Sequence, residues 1–157
     1  INYRLGPMGY MCLPQLKEEA GHTGNYGMFD QIAALTWVRD NITEFGGNPE
    51  NITIMGQSAG AMSVLNLCIS PLTDGMFKRA VMNSGGGVSP MMDSKATCED
   101  RYEFWQMVLA DIGCETLQQL REVEISKLFD SLPLIFATQK SSPLIRGGLW
   151  CGAKSYF

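Results

Sequence analysis

Apolar residues recur at a helical spacing in the second quarter of the chain. Between positions 28 and 45 they fall three or four residues apart, which is the pattern of one face of an amphipathic helix. Gly46 and Gly47 follow directly. Because glycine readily adopts the left-handed conformation that closes a helix, we expect this helix to end there. The apolar positions that form the stripe are Met28, Ile32, Leu35, Val38, Ile42 and Phe45.

Shorter apolar runs on either side predict strands. Residues 1–5 resemble the end of a strand, cut off by a Gly-Pro turn signal. Residues 51–55 indicate a buried strand, and residues 80–82 indicate another short apolar strand. Between the last two lies an apolar run that ends at Ile69 and lacks a polar face, so we predict a helix buried on most sides. Strands that alternate with helices predict a parallel sheet with right-handed crossovers, and therefore an α/β fold.

The pattern changes toward the end of the chain. Residues 14–27 contain three glycines and mixed charges, which predicts a polar loop. After about residue 89 strand signals fade, and residues 99–112 and 116–129 each favour a helix. We therefore expect residues 1–90 to form a core segment and residues 91–157 a helical insert or cap portion of the same incomplete domain.

Composition narrows the class of protein. The chain has 157 residues, of which 45% are hydrophobic and 18% charged, as in ordinary soluble globular proteins. The net charge of −4 and the scattered Lys and Arg residues offer no basic surface for nucleic acid. No apolar run approaches the roughly 18 residues that span a bilayer, so we expect no membrane segment in this piece. The chain starts at Ile1, inside the first predicted strand, so a targeting segment could lie upstream.

The five cysteines argue against a metal or redox site. Their spacing is wide and contains no CxxC pair, so we expect no zinc, no other metal and no cofactor. Cys68 falls in the apolar run and is interpreted as a small buried hydrophobic residue. A bridge between Cys98 and Cys114 is an alternative that spacing alone leaves open. At least one thiol stays unpaired, which favours a reducing, cytoplasmic compartment over secretion.

One short stretch contains a candidate catalytic motif. Gly56-Gln57-Ser58-Ala59-Gly60 lies between a predicted strand and a predicted helix. A GxSxG match alone is weak evidence in a chain with 17 glycines, but this context is that of a nucleophile elbow, a sharp turn that lifts a serine above the sheet. We interpret Ser58 as the nucleophile, the backbone N–H of Ala59 as an oxyanion donor, and Gly56 and Gly60 as residues that avoid collisions. The alternative is a serine that merely caps a buried helix.

Three longer stretches of sequence, two of which lie outside the motif, give more specific information than the motif does. Residues 2–10, 24–60 and 72–86 resemble the type-B carboxylesterase and cholinesterase family of the α/β-hydrolase fold, in the family's order and at similar spacing. The resemblance implies hydrolysis of a small-molecule carboxylic ester through an acyl-enzyme on Ser58, with a histidine as the base. It says nothing of the oligomeric state.

Two departures from the family matter. Gln57 replaces the glutamate that many members have before the nucleophile, which we expect to alter local hydrogen bonds but not the reaction. More importantly, the triad acid and histidine follow the serine in this fold, yet no histidine follows Ser58. The glycine-rich segment that supplies other oxyanion donors should precede residue 2 and is also missing. We predict that the chain is an internal piece, with the triad acid and histidine outside it, and inactive alone.

Several other residues invite functional roles that we do not favour. His22, the single histidine, lies upstream of Ser58 in a predicted polar loop and is interpreted as a surface residue. Arg4 and Asp30 are expected to form a structural ion pair. Ser84 more simply ends a strand than contacts substrate.

The remaining candidates have plain interpretations too. Asn41 and Asn51 match the glycosylation pattern, but both fall in predicted secondary structure and are taken as incidental. Met91, Met92 and Trp105 could line a pocket, although packing is preferred. A non-catalytic adhesion scaffold of the same fold remains the alternative function. It would be favoured if the complete sequence lacked a downstream histidine.

Overall fold

The computed structural model describes residues 1–85 and 97–138. Their contacts form two compact units, one of residues 1–4 with 27–85 and one of residues 5–26 with 97–138. The predicted division of one domain into a core segment and a helical insert or cap stays a prediction.

A small parallel sheet forms the centre of the first unit. β1 (Thr53–Gln57) and β2 (Arg79–Asn83) pair in parallel, with Gly56 opposite Met82. Helix α4 (Ala59–Ile69) connects them and packs on both. Since parallel neighbours need a crossover connection, the helix occupies the position that the strand and helix pattern requires. The predicted order of strand, helix and strand around α4 is confirmed, with the strands at 53–57 and 79–83 rather than at 51–55 and 80–82.

The prediction that β1 is a buried strand is wrong for one face of the sheet. Met55 is 78% exposed, and Val81, its partner in the register, is 48% exposed. Alternate residues such as Ile54 point to the opposite face, which is partly buried. Parallel sheets are normally covered on both faces. Among the described residues of this unit, no element covers the face that carries Met55.

Another helix of this unit follows the predicted stripe. It is α3 (Tyr26–Asn41), and a single 3-10 turn (Ile42–Phe45) continues it. Gly46 then closes the turn with φ 78°, in the left-handed region, and its N–H donates to the Ile42 and Thr43 carbonyls. The predicted end is confirmed, and the helix begins two residues earlier than the first apolar position of the stripe.

The first residues differ from expectation. Residues 1–5 form no strand, and Ile1 is 78% exposed. A strand needs a neighbour that binds its backbone N–H and C=O groups. Within the described residues, only β1 and β2 pair as strands. Residues 1–5 are not part of this sheet, and the Arg4 N–H donates to Asp30 Oδ2 instead.

The second unit is helical. Its helices are α1 (Gly6–Tyr10), α2 (Pro14–Ala20), α5 (Tyr102–Asp111), α6 (Leu117–Glu122) and α7 (Ile125–Thr138), with a 3-10 turn (Glu99–Arg101) before α5. Its core contains an edge-to-face pair of Phe104 and Trp105, whose ring centroids lie 5.1 Å apart. Other core residues are Leu13, Val108, Leu109, Leu128 and Leu132.

Two predictions for this unit need correction. The predicted polar loop contains α2, which begins at Pro14 and ends at Ala20, and Gly21 follows as its C-cap with φ 77°. Proline suits the first turn of a helix, where its missing N–H costs nothing. The single helix predicted at 116–129 is two helices. Thr116 caps α6 in a capping box with Gln119, and the chain breaks at Val123, which is extended.

The cysteines also differ from the predictions. Cys98 and Cys114 are not joined by a disulfide bond, so the alternative of a bridge between them is wrong. Cys68 is exposed rather than buried, because it lies on the solvent side of the last turn of α4. Cys12 takes part in a disulfide bond, and Cys151 lies outside the described residues. The preference for a cytoplasmic compartment stays a prediction.

Candidate active site

Ser58 occupies a sharp turn between β1 and α4. Its backbone has φ 52° and ψ −117°, a conformation that non-glycine residues rarely adopt. Holding a residue there costs on the order of 1–3 kcal/mol and requires surroundings that fix it. The local sequence forms an element on each side of the turn: a β-branched run forms β1 before it, and an apolar run forms α4 after it.

Backbone hydrogen bonds hold the turn from both sides. The Ser58 N–H donates to the Asn83 carbonyl at 2.9 Å, one step beyond the ladder of β1 and β2. The Ser58 carbonyl accepts from the N–H groups of Ala61 at 2.9 Å and Met62 at 3.1 Å. The strained residue is therefore fixed to the end of β2 and to the first turn of α4.

The two glycines of the motif play different parts. A β-carbon on Gly56 would lie 2.2 Å from the carbonyl carbon and oxygen of Gly60 and 2.8 Å from the Ala61 nitrogen. Any side chain at Gly56 would therefore collide with the start of α4, as predicted. A β-carbon on Gly60 would meet no described atom within 4 Å. The predicted collision at Gly60 is wrong, since that position faces open space in the part of the chain that the structure describes.

The Ser58 side chain is exposed and does not cap the helix. Gln57, Ser58 and Ala59 are all exposed, and no side-chain hydrogen bond from Ser58 caps α4. The interpretation of Ser58 as an ordinary side-chain cap therefore does not hold. Gln57, which stands where many members of the family have a glutamate, is the last residue of β1.

Ala59 is the first residue of α4. The first N–H groups of a helix have no intrahelical acceptor, and the helix dipole adds partial positive charge at this end. Such groups can stabilise a developing oxyanion. The role of the Ala59 N–H as an oxyanion donor stays a prediction.

A buried polar pair lies on the next turn of α4. Gln31 Nε2 of α3 donates to Ser63 Oγ at 3.3 Å, and both residues are only 4% exposed. Buried side-chain polar groups are costly unless paired, so this bond fixes the register of the two helices. This hydrogen bond was not predicted from the sequence. The one indication of it in the sequence was a polar residue in the apolar stretch of each helix.

An apolar groove of about 400 Å³ opens beside this pair, between α3, β1 and α4. Its walls include Leu35, Ile54 and Val64, and Gly60 lies at its edge. Ser58 is not among the residues that line it, so the groove is not a substrate pocket for that side chain within this unit.

His22 fits its plain interpretation. It lies half buried in the loop after α2, with Nδ1 3.0 Å from the Ala20 carbonyl oxygen. Its ring centroid is 5.9 Å from that of Tyr26. These local contacts account for the histidine in the second unit without any catalytic role.

The predicted ion pair between Arg4 and Asp30 is confirmed. Arg4 Nη2 lies 2.8 Å from Asp30 Oδ1, while Arg4 Nε and its backbone N–H each donate to Oδ2 at 2.9 Å. These hydrogen bonds from Arg4 lower the pKa of the Asp30 carboxyl below its ordinary value, against a smaller opposing effect of burial. The Arg4 side chain is about half exposed, at 51%, so the pair lies nearer the surface than expected.

The other candidates also keep structural roles. Ser84 follows β2 with φ 54°, and its Oγ donates to Asn83 Oδ1 at 3.1 Å. Trp105 is 2% exposed in the core of the second unit, as the packing interpretation requires. Asn41 donates to the Trp37 carbonyl at 2.8 Å. Met91 and Met92 lie outside the described residues.

Two absences hold for the described part of the chain. Over residues 1–85 and 97–138, no group of three or more His, Cys, Asp or Glu side chains could hold a metal ion. In the same ranges, none of the helices combines the length and apolar character needed to cross a bilayer.

The parallel strands, the crossover helix and the strained serine between them define an α/β-hydrolase fold, and comparisons agree. The chain superposes on a thermophilic para-nitrobenzyl esterase structure with a TM-score of 0.75 and 36% identity, covering 90% of this chain and 28% of that one. A Geobacillus stearothermophilus carboxylesterase structure gives 0.70 and 32%, covering 92% and 30%.

The chain belongs to the carboxylesterase family, whose model matches residues 1–148. It is 48% identical over 85 residues to a para-nitrobenzyl esterase of Bacillus subtilis, covering 54% of this chain and 17% of that protein. It is 40% identical over 134 residues to carboxylesterase 5A of Felis catus, covering 82% and 24%. The chain thus spans about a sixth to a quarter of the length of these relatives.

Proposed function

We propose that the complete protein containing this chain hydrolyses carboxylic esters, with Ser58 as the nucleophile. The backbone of Ser58 is the main support for the proposal. With φ 52° and ψ −117°, Ser58 forms the junction of a parallel strand and a helix, and its exposed side chain does not cap that helix. That is the arrangement of a nucleophile elbow. The family model and the esterases to which the chain is similar support the same reaction class.

In the proposed reaction, Ser58 Oγ attacks the ester carbonyl as a histidine from elsewhere in the complete protein takes its proton. The resulting oxyanion accepts a hydrogen bond from the Ala59 N–H at the start of α4. The intermediate collapses, the carbon to alcohol-oxygen bond breaks, and the histidine protonates the departing alcohol. Water then attacks the acyl-enzyme by the same steps and releases the acid.

The 157 residues alone lack part of this machinery. Their single histidine, His22, precedes Ser58 and makes its own local contacts in the second unit. In this fold the base follows the nucleophile and the acid along the chain. We therefore propose that the base, the acid and the remaining oxyanion donors lie in other parts of the complete protein, and that the isolated chain is inactive.

The experiment uses the complete protein and a short-chain p-nitrophenyl ester. We expect the wild type to release p-nitrophenol and to be labelled at Ser58 by a fluorophosphonate, as found by peptide mass spectrometry. Ser58→Ala should lose both, with a fall in kcat of at least about a thousandfold, as for other triad nucleophiles.

Ser126→Ala is the matched control, because Ser126 is exposed on α7 and lies far from Ser58 in sequence. It should keep wild-type kcat and KM. Full hydrolysis by a folded Ser58→Ala variant would contradict the proposal. A wild-type protein that neither hydrolyses the ester nor takes the label would instead favour the non-catalytic scaffold.

A further inference from the structure

We infer that the turn after β2, residues 83–85, positions the nucleophile, and that Gly85 is the residue on which this depends. We call this segment the β2 turn. The inference rests on the proposed function of Ser58 and goes beyond the GxSxG motif, which the β2 turn follows by some twenty-five residues. Gly85 is a positioning residue and touches no reacting atom.

The first observation is a hydrogen bond that fixes the nucleophile's amide. Asn83 is the last residue of β2 and pairs with Gln57 in the register, and its carbonyl accepts from the Ser58 N–H at 2.9 Å. The ladder thus continues one step past β1, into the strained residue itself. Ser84 then turns the chain with φ 54°, so that the next residue returns toward the elbow.

The second observation is a close backbone approach. A β-carbon on Gly85 would lie 2.6 Å from the Ser58 carbonyl oxygen, 3.3 Å from its carbonyl carbon and 3.2 Å from Ala61 Cβ. Nonbonded carbon atoms prefer separations of about 3.5–4.0 Å. Gly85 is not among the glycines with positive φ, so closeness to Ser58, rather than backbone conformation, requires a glycine there.

These contacts act on the carbonyl that begins α4. The Ser58 carbonyl accepts from the N–H groups of Ala61 and Met62. A side chain at position 85 would press on this carbonyl and rotate the peptide that joins Ser58 to Ala59. Both the Ser58 side chain and the Ala59 N–H would then leave their positions. The β2 turn therefore sets the orientation of the nucleophile from outside the motif.

Gly85→Ala in the complete protein tests the inference, with Gly113→Ala as the matched control. Gly113 has φ 72°, and a β-carbon on it meets nothing within 4 Å, so its replacement strains a helix end in the second unit without touching the elbow. Both variants should lower the Tm. We measure kcat and KM for a p-nitrophenyl ester, the rate constant of fluorophosphonate labelling per folded molecule, and hydrogen exchange of the peptide that contains Ser58.

We expect Gly85→Ala to lower kcat and the labelling rate by about tenfold to a hundredfold, the size of effect that a misplacement of about 1 Å produces. KM should change less than kcat, because the two displaced groups, Ser58 Oγ and the Ala59 N–H, act on the transition state. The elbow peptide should exchange at least several times faster. Gly113→Ala should leave all three readouts at wild-type values once the folded fraction is corrected.

Gly85→Ala with wild-type labelling, kcat and elbow exchange would overturn the inference while leaving the proposed function intact. Failure of the proposed function looks different, since the wild type itself would then go unlabelled at Ser58. In that case only hydrogen exchange of the peptide that contains Ser58 tests the inference. Unchanged protection in Gly85→Ala overturns the inference, and lost protection retains the role of the β2 turn in fixing Ser58.

Discussion

Gly56 has no room for a side chain because the backbone of Gly60 lies against it, whereas Gly60 has room for one. The α-carbon of Gly56 faces the backbone of Gly60 so closely that a β-carbon would fall 2.2 Å from the Gly60 carbonyl oxygen, whereas a β-carbon on Gly60 would meet no described atom within 4 Å. The two glycines flank Ser58 symmetrically in sequence. In space, the end of β1 is confined by the first turn of α4, and the first turn of α4 is open on its own outer side.

This asymmetry predicts unequal effects of alanine. Gly56→Ala should lower the free energy of unfolding of the complete protein by about 1–3 kcal/mol or more, the usual cost of overpacking. Gly60→Ala should be neutral or stabilise by up to about 1 kcal/mol, because Gly60 lies within a helix and alanine loses less entropy there. Urea unfolding of the purified variants measures both.

An equal loss for both glycines would contradict the prediction and show that elements outside the described residues also press on Gly60. An unchanged Gly56→Ala variant would show that the first turn of α4 can move away from β1 at little cost.

The Arg4 and Asp30 pair predicts a pH dependence of stability. The hydrogen bonds from Arg4 hold the pKa of Asp30 below its ordinary value. Protons therefore bind the unfolded state more readily than the folded state at this site. The stabilisation is fully present above the ordinary aspartate pKa of about 3.9 and is lost as the pH falls through the lower folded pKa.

Asp30→Asn should therefore destabilise the protein near neutral pH by about 1 kcal/mol or less, since the Arg4 side chain is 51% exposed and the Asp30 side chain 27%. The difference from wild type should shrink below about pH 4, where the wild-type carboxyl also loses its charge. Asp40→Asn is the control, because Asp40 makes only a 3.5 Å contact with its neighbour Arg39. A difference that grows on acidification would contradict the expected sign.

The Gln31 and Ser63 bond predicts a cost for an unpaired buried amide. Ser63→Ala removes the hydroxyl that accepts from Gln31 Nε2 and leaves that group buried. We expect a loss of about 1–3 kcal/mol in the free energy of unfolding. Ser126→Ala, on the exposed face of α7, should stay within about 0.5 kcal/mol of wild type.

Thermal or urea unfolding of the two serine variants separates these cases. Restored stability in the double variant Gln31→Leu with Ser63→Ala would support the assignment, because both polar partners are then gone and the space is filled by an apolar side chain. Equal stability of Ser63→Ala and wild type would contradict it.

Much of the first unit could be predicted from the sequence. The spacing of apolar residues predicted α3 and its end at Gly46, and the alternation of strand and helix predicted β1, α4 and β2 as parallel neighbours. These elements were predictable because their signals are local: a period, a glycine at a helix end and a β-branched run. The resemblance to the carboxylesterase family was likewise carried by contiguous blocks.

Burial and close approach were not predictable in the same way. Nothing in the sequence distinguishes Gly60, which faces open space, from Gly56, which contacts a backbone. Cys68 lies in an apolar run yet is exposed, because α4 is covered on one side only. Helix α2, which begins at Pro14, was not predicted because its mostly polar sequence contains no apolar stripe.

The sequence by itself determined the order of elements around Ser58 and the glycine that lets β1 meet α4. Only the tertiary structure decided which backbone atoms fix the serine, because Asn83 and Gly85 lie some twenty-five residues away along the chain and reach it through the pairing of β1 with β2. Local pattern encodes an element, whereas the orientation of a side chain at its end depends on whatever packs against that end.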